Sequence, residues 1–251
     1  MNQVDRWKAY RQMADETHAT LMSFVDTIIA DNTLPTPAPP DDITDKLPWN
    51  DDSPWPFPTR GKSAPLTRVK YITLHHSAGN RDTTNIEYWN YLHSVTKRWP
   101  HIGYHFGIAS RRPGDPIGLY QMNRIGEFTW HDSRNADTLA VCIAGDLRAE
   151  HDDAPTPEQV YLAGQLLAWL VPQLPNFVGV TFHKLIQATA CPGDVERWGG
   201  EIVAATKTWG IDLSGRWGVK PMGVRARIMG ALVRQPRAKD YEDVCEDVYN
   251  E

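Results

Sequence analysis

Residues 69–80 read VKYITLHHSAGN. The first eight positions are rich in β-branched and aromatic side chains, and a turn of small residues follows the histidine doublet at once. A short strand that ends in two imidazoles is the result. Working outward, similar runs recur at GYHFGIA (103–109), PIGLYQ (116–121), TLAVCIAG (138–145) and FVGVTFH (177–183). Helical stretches lie between or after them. TTNIEYWNYLHSVTK (83–97) has Thr83 or Thr84 as its cap, and TPEQVYLAGQLLAWLV (156–171) opens with Thr156 as cap and Pro157 at the first helical position. A third helix starts near Asp194 and runs through EIVAATKTW (201–209). Strands mixed with helices on this scale predict an α/β (α+β) fold, a mixed central β-sheet flanked by helices.

The flanks differ from this body. Trp7, Tyr10, Ala14, Thr17, Leu21, Phe24 and Ile28 alternate spacings of three and four, which predicts an N-terminal amphipathic helix over 1–30. Eight prolines fall between Leu34 and Thr59, so 31–63 reads as an extended linker with turns and no ladder. Trp49, Trp55 and Phe57 suggest that its second half lies against a surface. The body then spans 64–213. The tail, 214–251, is basic and then acidic: 216–239 hold seven Lys or Arg and no acid, and 240–251 hold six acids and no base. A helix docked on the domain is the expectation for the basic part, with an anionic membrane or polymer as the alternative contact.

A net charge of −5 excludes the basic excess typical of a nucleic-acid binder, so no nucleic acid is expected. No window approaches the roughly 18 apolar residues of a membrane span. The start, MNQVDRWKAYRQMADE, has no cationic region followed by an apolar one, so no signal peptide is expected. Three cysteines make a disulfide framework a poor reading. Cys142 sits in an apolar strand and reads as core; Cys245 lies in the acidic tail; Cys191, in ATACPGD, calls for another account.

Zinc hydrolases need three protein ligands of the His, Cys or carboxylate kind and one open position. HExxH, GxSxG and a P-loop are all absent, which removes the helical metalloprotease, serine-hydrolase and nucleotide readings. What remains is a separated set: His75 or His76 at one strand end, then His183 and Cys191 in FHKLIQATACPGD (182–194). Cys191 lies eight residues after His183, which lets a loop leave a strand and return a thiolate to the imidazole. His101 and His105 in HIGYH form a competing pair.

Four blocks, ITLHHSAGN, GYHFGI, TWHDSRNADTLAVCIAGD and FHKLIQATACPGD, resemble in their order the type-2 N-acetylmuramoyl-L-alanine amidases, whose fold is shared with peptidoglycan recognition proteins and short phage endolysins. They cover the body and leave both flanks unexplained. The resemblance implies Zn²⁺ held by His75, His183 and Cys191. Strand parity agrees, because Tyr71, Thr73 and His75 share one face while Ile72, Leu74 and His76 share the more apolar one. His76 is then a hydrogen-bonded support. The resemblance also implies Tyr104 as the catalytic hydroxyl, Thr189 as a donor to the oxyanion where some members have lysine, and His131 and Asn135 as residues of the substrate groove.

The activity so implied is hydrolysis of the amide bond between N-acetylmuramic acid and L-alanine in peptidoglycan, by a monomer acting on muramyl peptides. A non-catalytic peptidoglycan-binding module and a muramyl-peptide recycling amidase are the alternatives; relatives that bind without cutting typically lack the cysteine present here. A phage or prophage endolysin that accumulates in the cytoplasm, and reaches the wall through another protein's release, is the expected setting.

Overall fold

The computed structural model describes residues 36–54, 65–151 and 153–221. The N-terminal helix expected over 1–30, Trp55, Phe57, Cys245 and nearly all of the charged tail lie outside them. Six strands form one sheet: β1 (Asp41–Asp42), β2 (Tyr71–His76), β3 (Phe106–Ser110), β4 (Ile117–Gln121), β5 (Thr138–Ile143) and β6 (Gly179–Phe182). Their order is β1-β4-β3-β5-β2-β6. Only the β3–β4 pair is antiparallel, so β5, β2 and β6 run in parallel and end on the same side. The expected mixed sheet with flanking helices is the fold observed.

Side-chain alternation sorts the sheet into two faces. Ile72 and Leu74 of β2, with Leu139, Val141 and Ile143 of β5, meet Leu166, Leu167 and Leu170 of α2 (Pro157–Leu170) and Trp198 and Ile202 of α4 (Val195–Lys207). Burying each large aliphatic chain here contributes about 1.5–3 kcal/mol. The two helices cross closely at Gly164, where an added Cβ would lie 2.6 Å from the Ala205 Cβ. On the other face, Ile86 and Trp89 of α1 (Ile86–Tyr91) pack on Ala109, Met122 and Cys142. β2 is buried on both faces along its whole length, and two of its polar side chains, Thr73 and His75, lie on this second face with Cys142 as the register partner of His75.

Three local readings change. The cap of α1 is Asn85, whose Oδ1 accepts from the Tyr88 N–H at 2.9 Å. Thr83 and Thr84 are used one turn earlier, their hydroxyls donating to the Asn80 carbonyl. The proline-rich segment does carry a ladder, two residues long, where β1 pairs with β4; Ile43 and Leu47 drop into the second core and explain why the segment is held there. Trp49 lies against the body as expected, stacked on His101 with ring centroids 4.2 Å apart. At the other end of the sheet, His183 no longer belongs to a strand. β6 ends at Phe182, and His183 opens a one-turn helix, α3 (His183–Ile186).

Thr156 caps α2 with Pro157 in its first turn, as the sequence implied, and Gln159 completes a capping box with it. No helix among the described residues is long and apolar enough to cross a membrane.

Candidate functional site

In an open parallel sheet, ligands bind outside the carboxyl ends of the strands. His75 is the fifth residue of β2, and His183 directly follows β6, its parallel neighbour. Because Leu74 is in register with Phe182, the two imidazoles emerge side by side, with ring centroids 4.5 Å apart. The chain then makes one helical turn and returns. The Lys184 N–H donates to the Cys191 carbonyl at 2.8 Å, and this closes the loop with the thiol pointing back at the strand ends. Cys191 Sγ lies 3.6 Å from His75 Nδ1 and accepts the His76 N–H at 3.4 Å.

Ligand atoms of His75, His183 and Cys191 all lie within 4.8 Å of one another, and all three residues are buried. A second group, His75, His131 and Asp132, meets the same criterion. The two groups share His75 and use its opposite nitrogens: Nδ1 faces Cys191 Sγ, and Nε2 lies 3.2 Å from His131 Nδ1.

Hydrogen bonding separates them. Among the described residues, neither buried ring nitrogen of His183 has a partner at hydrogen-bond geometry. Leaving a buried polar atom unpaired costs about 1–3 kcal/mol, so a lone pair left in this way beside a thiol and another imidazole fits an ion. His131 has a partner on each nitrogen already: His75 Nε2 or Asp132 Oδ2, each 3.2 Å away, on Nδ1, and Thr138 Oγ1 at 3.2 Å on Nε2. Asp132 accepts from Thr73 Oγ1 at 3.1 Å and from the Arg134 N–H at 2.5 Å. In the first group the His183 nitrogens are the unpaired atoms among the described residues; the second is a closed polar network behind it.

Protonation points the same way. Burial, reinforced by His183 and His131, holds His75 well below the ordinary histidine value. Burial pushes His183 down to about 4, against the pull of Asp132. Both rings are therefore neutral near pH 7, as ligands must be. For Asp132, burial alone would raise the carboxyl value, but the charge and hydrogen bond of His131 and the Arg134 N–H bring it below the usual one. Asp132 is an anion.

The other expected residues contact these three or their neighbours. Tyr104 is half-buried beside His75, with ring centroids 5.3 Å apart, and its ring is held by Trp89 and His93. Thr189 is half-exposed on the loop before Cys191, and its Oγ1 accepts the Cys191 N–H at 3.2 Å. The His131 side chain is fully buried, so it faces His75 and not solvent. Asn135 accepts the N–H groups of His131 and Asp132 at 3.0 and 3.1 Å, bracing the loop that carries both.

His76 turns to the opposite face, where its Nδ1 accepts the Leu147 N–H at 3.0 Å. The HIGYH pair is not a ligand pair: His101 Nδ1 bonds Asn123, while His105 spans the Glu127 carbonyl and the Ala140 N–H. Asp132 and Thr73 are members of the site that sequence reasoning passed over. An Asp in a Ser-Arg-Asn loop reads as a turn former, and only the parity of Thr73 with His75 hinted otherwise.

A family described as N-acetylmuramoyl-L-alanine amidase matches residues 65–194 of this chain. No curated protein matches it. Among solved structures, the chain is similar to the endolysin N-acetylmuramoyl-L-alanine amidase LysCS from Clostridium intestinale (21% identity, 58% of this chain and 90% of that one, TM-score 0.45). It is also similar to the Ph2119 endolysin of a Thermus scotoductus bacteriophage (21% identity, 68% and 99%, TM-score 0.47) and to Drosophila peptidoglycan recognition protein SD (21% identity, 53% and 78%, TM-score 0.44).

Proposed function

The chain belongs to the N-acetylmuramoyl-L-alanine amidase family, and from that premise we propose that it is a zinc-dependent hydrolase of the amide bond between the lactyl group of N-acetylmuramic acid and L-alanine in peptidoglycan. The observation that carries the reading is the convergence of two neutral, buried imidazoles and one thiol from the ends of β2 and β6 and the loop after β6. Two nitrogens and one sulfur leave a fourth tetrahedral position open, the arrangement of catalytic zinc sites. Bound there, Zn²⁺ supplies Lewis acidity and lowers the proton affinity of water at the open position.

The chain's own residues supply the rest. His75, His183 and Cys191 would hold the ion. Tyr104, fixed by Trp89 and His93, directs its hydroxyl toward the reacting carbonyl and orients the attacking water. The Thr189 hydroxyl accepts from the Cys191 N–H, which leaves its own proton to donate to the developing oxyanion. A neutral donor of this kind contributes less than a lysine ammonium would. The bond that breaks is the lactyl carbonyl–nitrogen bond, and the amine leaves with L-alanine.

The test is Cys191→Ser with a muramyl-peptide substrate. Wild-type protein is expected to carry about one zinc per chain and to release peptide with a new L-alanine amino terminus, read by mass spectrometry. The variant should fold, lose the zinc and release no peptide. A Cys191→Ser protein with a full zinc equivalent and undiminished release sinks the ligand assignment. A wild-type protein that holds zinc and binds muramyl peptide without cleaving it turns the reading into recognition.

A further inference from the structure

We infer that Asp132 is a positioning residue for the metal-binding face of His75, an inference that rests on the zinc reading above. An ion on His75 Nδ1 leaves the single proton of the neutral ring on Nε2. That proton faces His131 Nδ1, the acceptor 3.2 Å away, and the Asp132 carboxylate stands beside the pair, its ligand oxygen within 4.8 Å of both rings. Metal-bound histidines characteristically donate their second N–H to such an acceptor, which fixes ring orientation and raises ligand basicity.

The surroundings are built for this. Asp132 has no exposed side-chain surface, and neither does His131. Its carboxylate is oriented by Thr73 Oγ1, one residue pair below His75 on the same strand face, and by the Arg134 N–H. Thr138, opposite Tyr71 in the sheet, closes the far side by bonding His131 Nε2. Two strands and one braced loop therefore converge on a single buried anion. Charge completes the argument. Zn²⁺ with one thiolate and two neutral imidazoles keeps one positive charge in a buried place, and Asp132 is the anion that offsets it.

The experiment compares wild type, Asp132→Asn and Asn135→Ala by zinc competition with a chelator, and by the absorption spectrum of the cobalt-substituted proteins. Asn keeps an acceptor for the Arg134 N–H and removes the charge. Asn135→Ala loosens the same loop without touching the ring network. The expected result is a loss in zinc affinity of roughly 10- to 100-fold in Asp132→Asn, with an unchanged thiolate-to-cobalt band, and a much smaller loss in Asn135→Ala. Wild-type affinity in Asp132→Asn overturns the inference. So does an equal loss in Asn135→Ala, which makes the effect one of loop folding. A changed cobalt spectrum in Asp132→Asn makes Asp132 a ligand and also overturns it. Failure of the underlying reading is separate, because wild type would then bind no zinc.

Discussion

Burial pushes the His93 and His105 rings down to about 3, so both stay neutral in the folded protein well below their ordinary range. Each is used neutral: His93 accepts the Gly103 N–H, and His105 accepts one N–H while donating to a carbonyl. In the unfolded chain both titrate near 6.5. As pH drops below that value the unfolded state takes up protons and the folded state does not. The stability these rings contribute is thus complete above about 6.5 and lost progressively toward 3. The chelated protein should therefore show a lower urea midpoint at about pH 4.5 than at about pH 7, and an equal midpoint would contradict the burial argument. Single residues also mark what the sequence could and could not disclose. The resemblance, with strand parity in agreement, divided His75 from His76. Asp132 stayed hidden because its partners, Thr73 and His131, become neighbours only when β2 and β5 pair.

Elements tell a similar story. Strand composition located β2, β3, β4, β5 and β6, and the signature at Thr156 located α2, because each depends on neighbours within a few residues. The end of β6 did not follow, since a return contact ends it: the Cys191 carbonyl takes the Lys184 N–H and turns the chain into α3. The cap of α1 moved for a local reason, competition from Asn80 for the threonine hydroxyls. The loop after α3 has a further constraint at Gly193. Its φ is +77°, and an added Cβ would lie 2.1 Å from the Leu147 carbonyl oxygen. The left-handed backbone alone costs a non-glycine residue about 1–2 kcal/mol, and backbone on the other side gives no room to relax. Gly193→Ala is expected to lower thermal stability by at least that amount and to weaken zinc binding by displacing Cys191; full affinity with an unchanged melt would show the loop to be slack.

At the scale of the whole molecule, the ligands tie together elements that the sheet alone holds only by backbone bonds. An ion bound only by the folded state stabilises it by mass action, about 2.7 kcal/mol at a free concentration 100-fold above Kd. Removing zinc with a chelator should therefore lower Tm by roughly 5–10 °C in wild type and leave Cys191→Ser unmoved. Equal shifts in both proteins would place the ion elsewhere. The spacing of the ligands has one more result. His75 and Cys191 stand 116 residues apart in the chain, and everything between them, four strands and the long helix α2 included, is made first. A chain still emerging from the ribosome has no centre to fill until its last ligand is out, so a nascent chain cannot trap an ion in a half-built site.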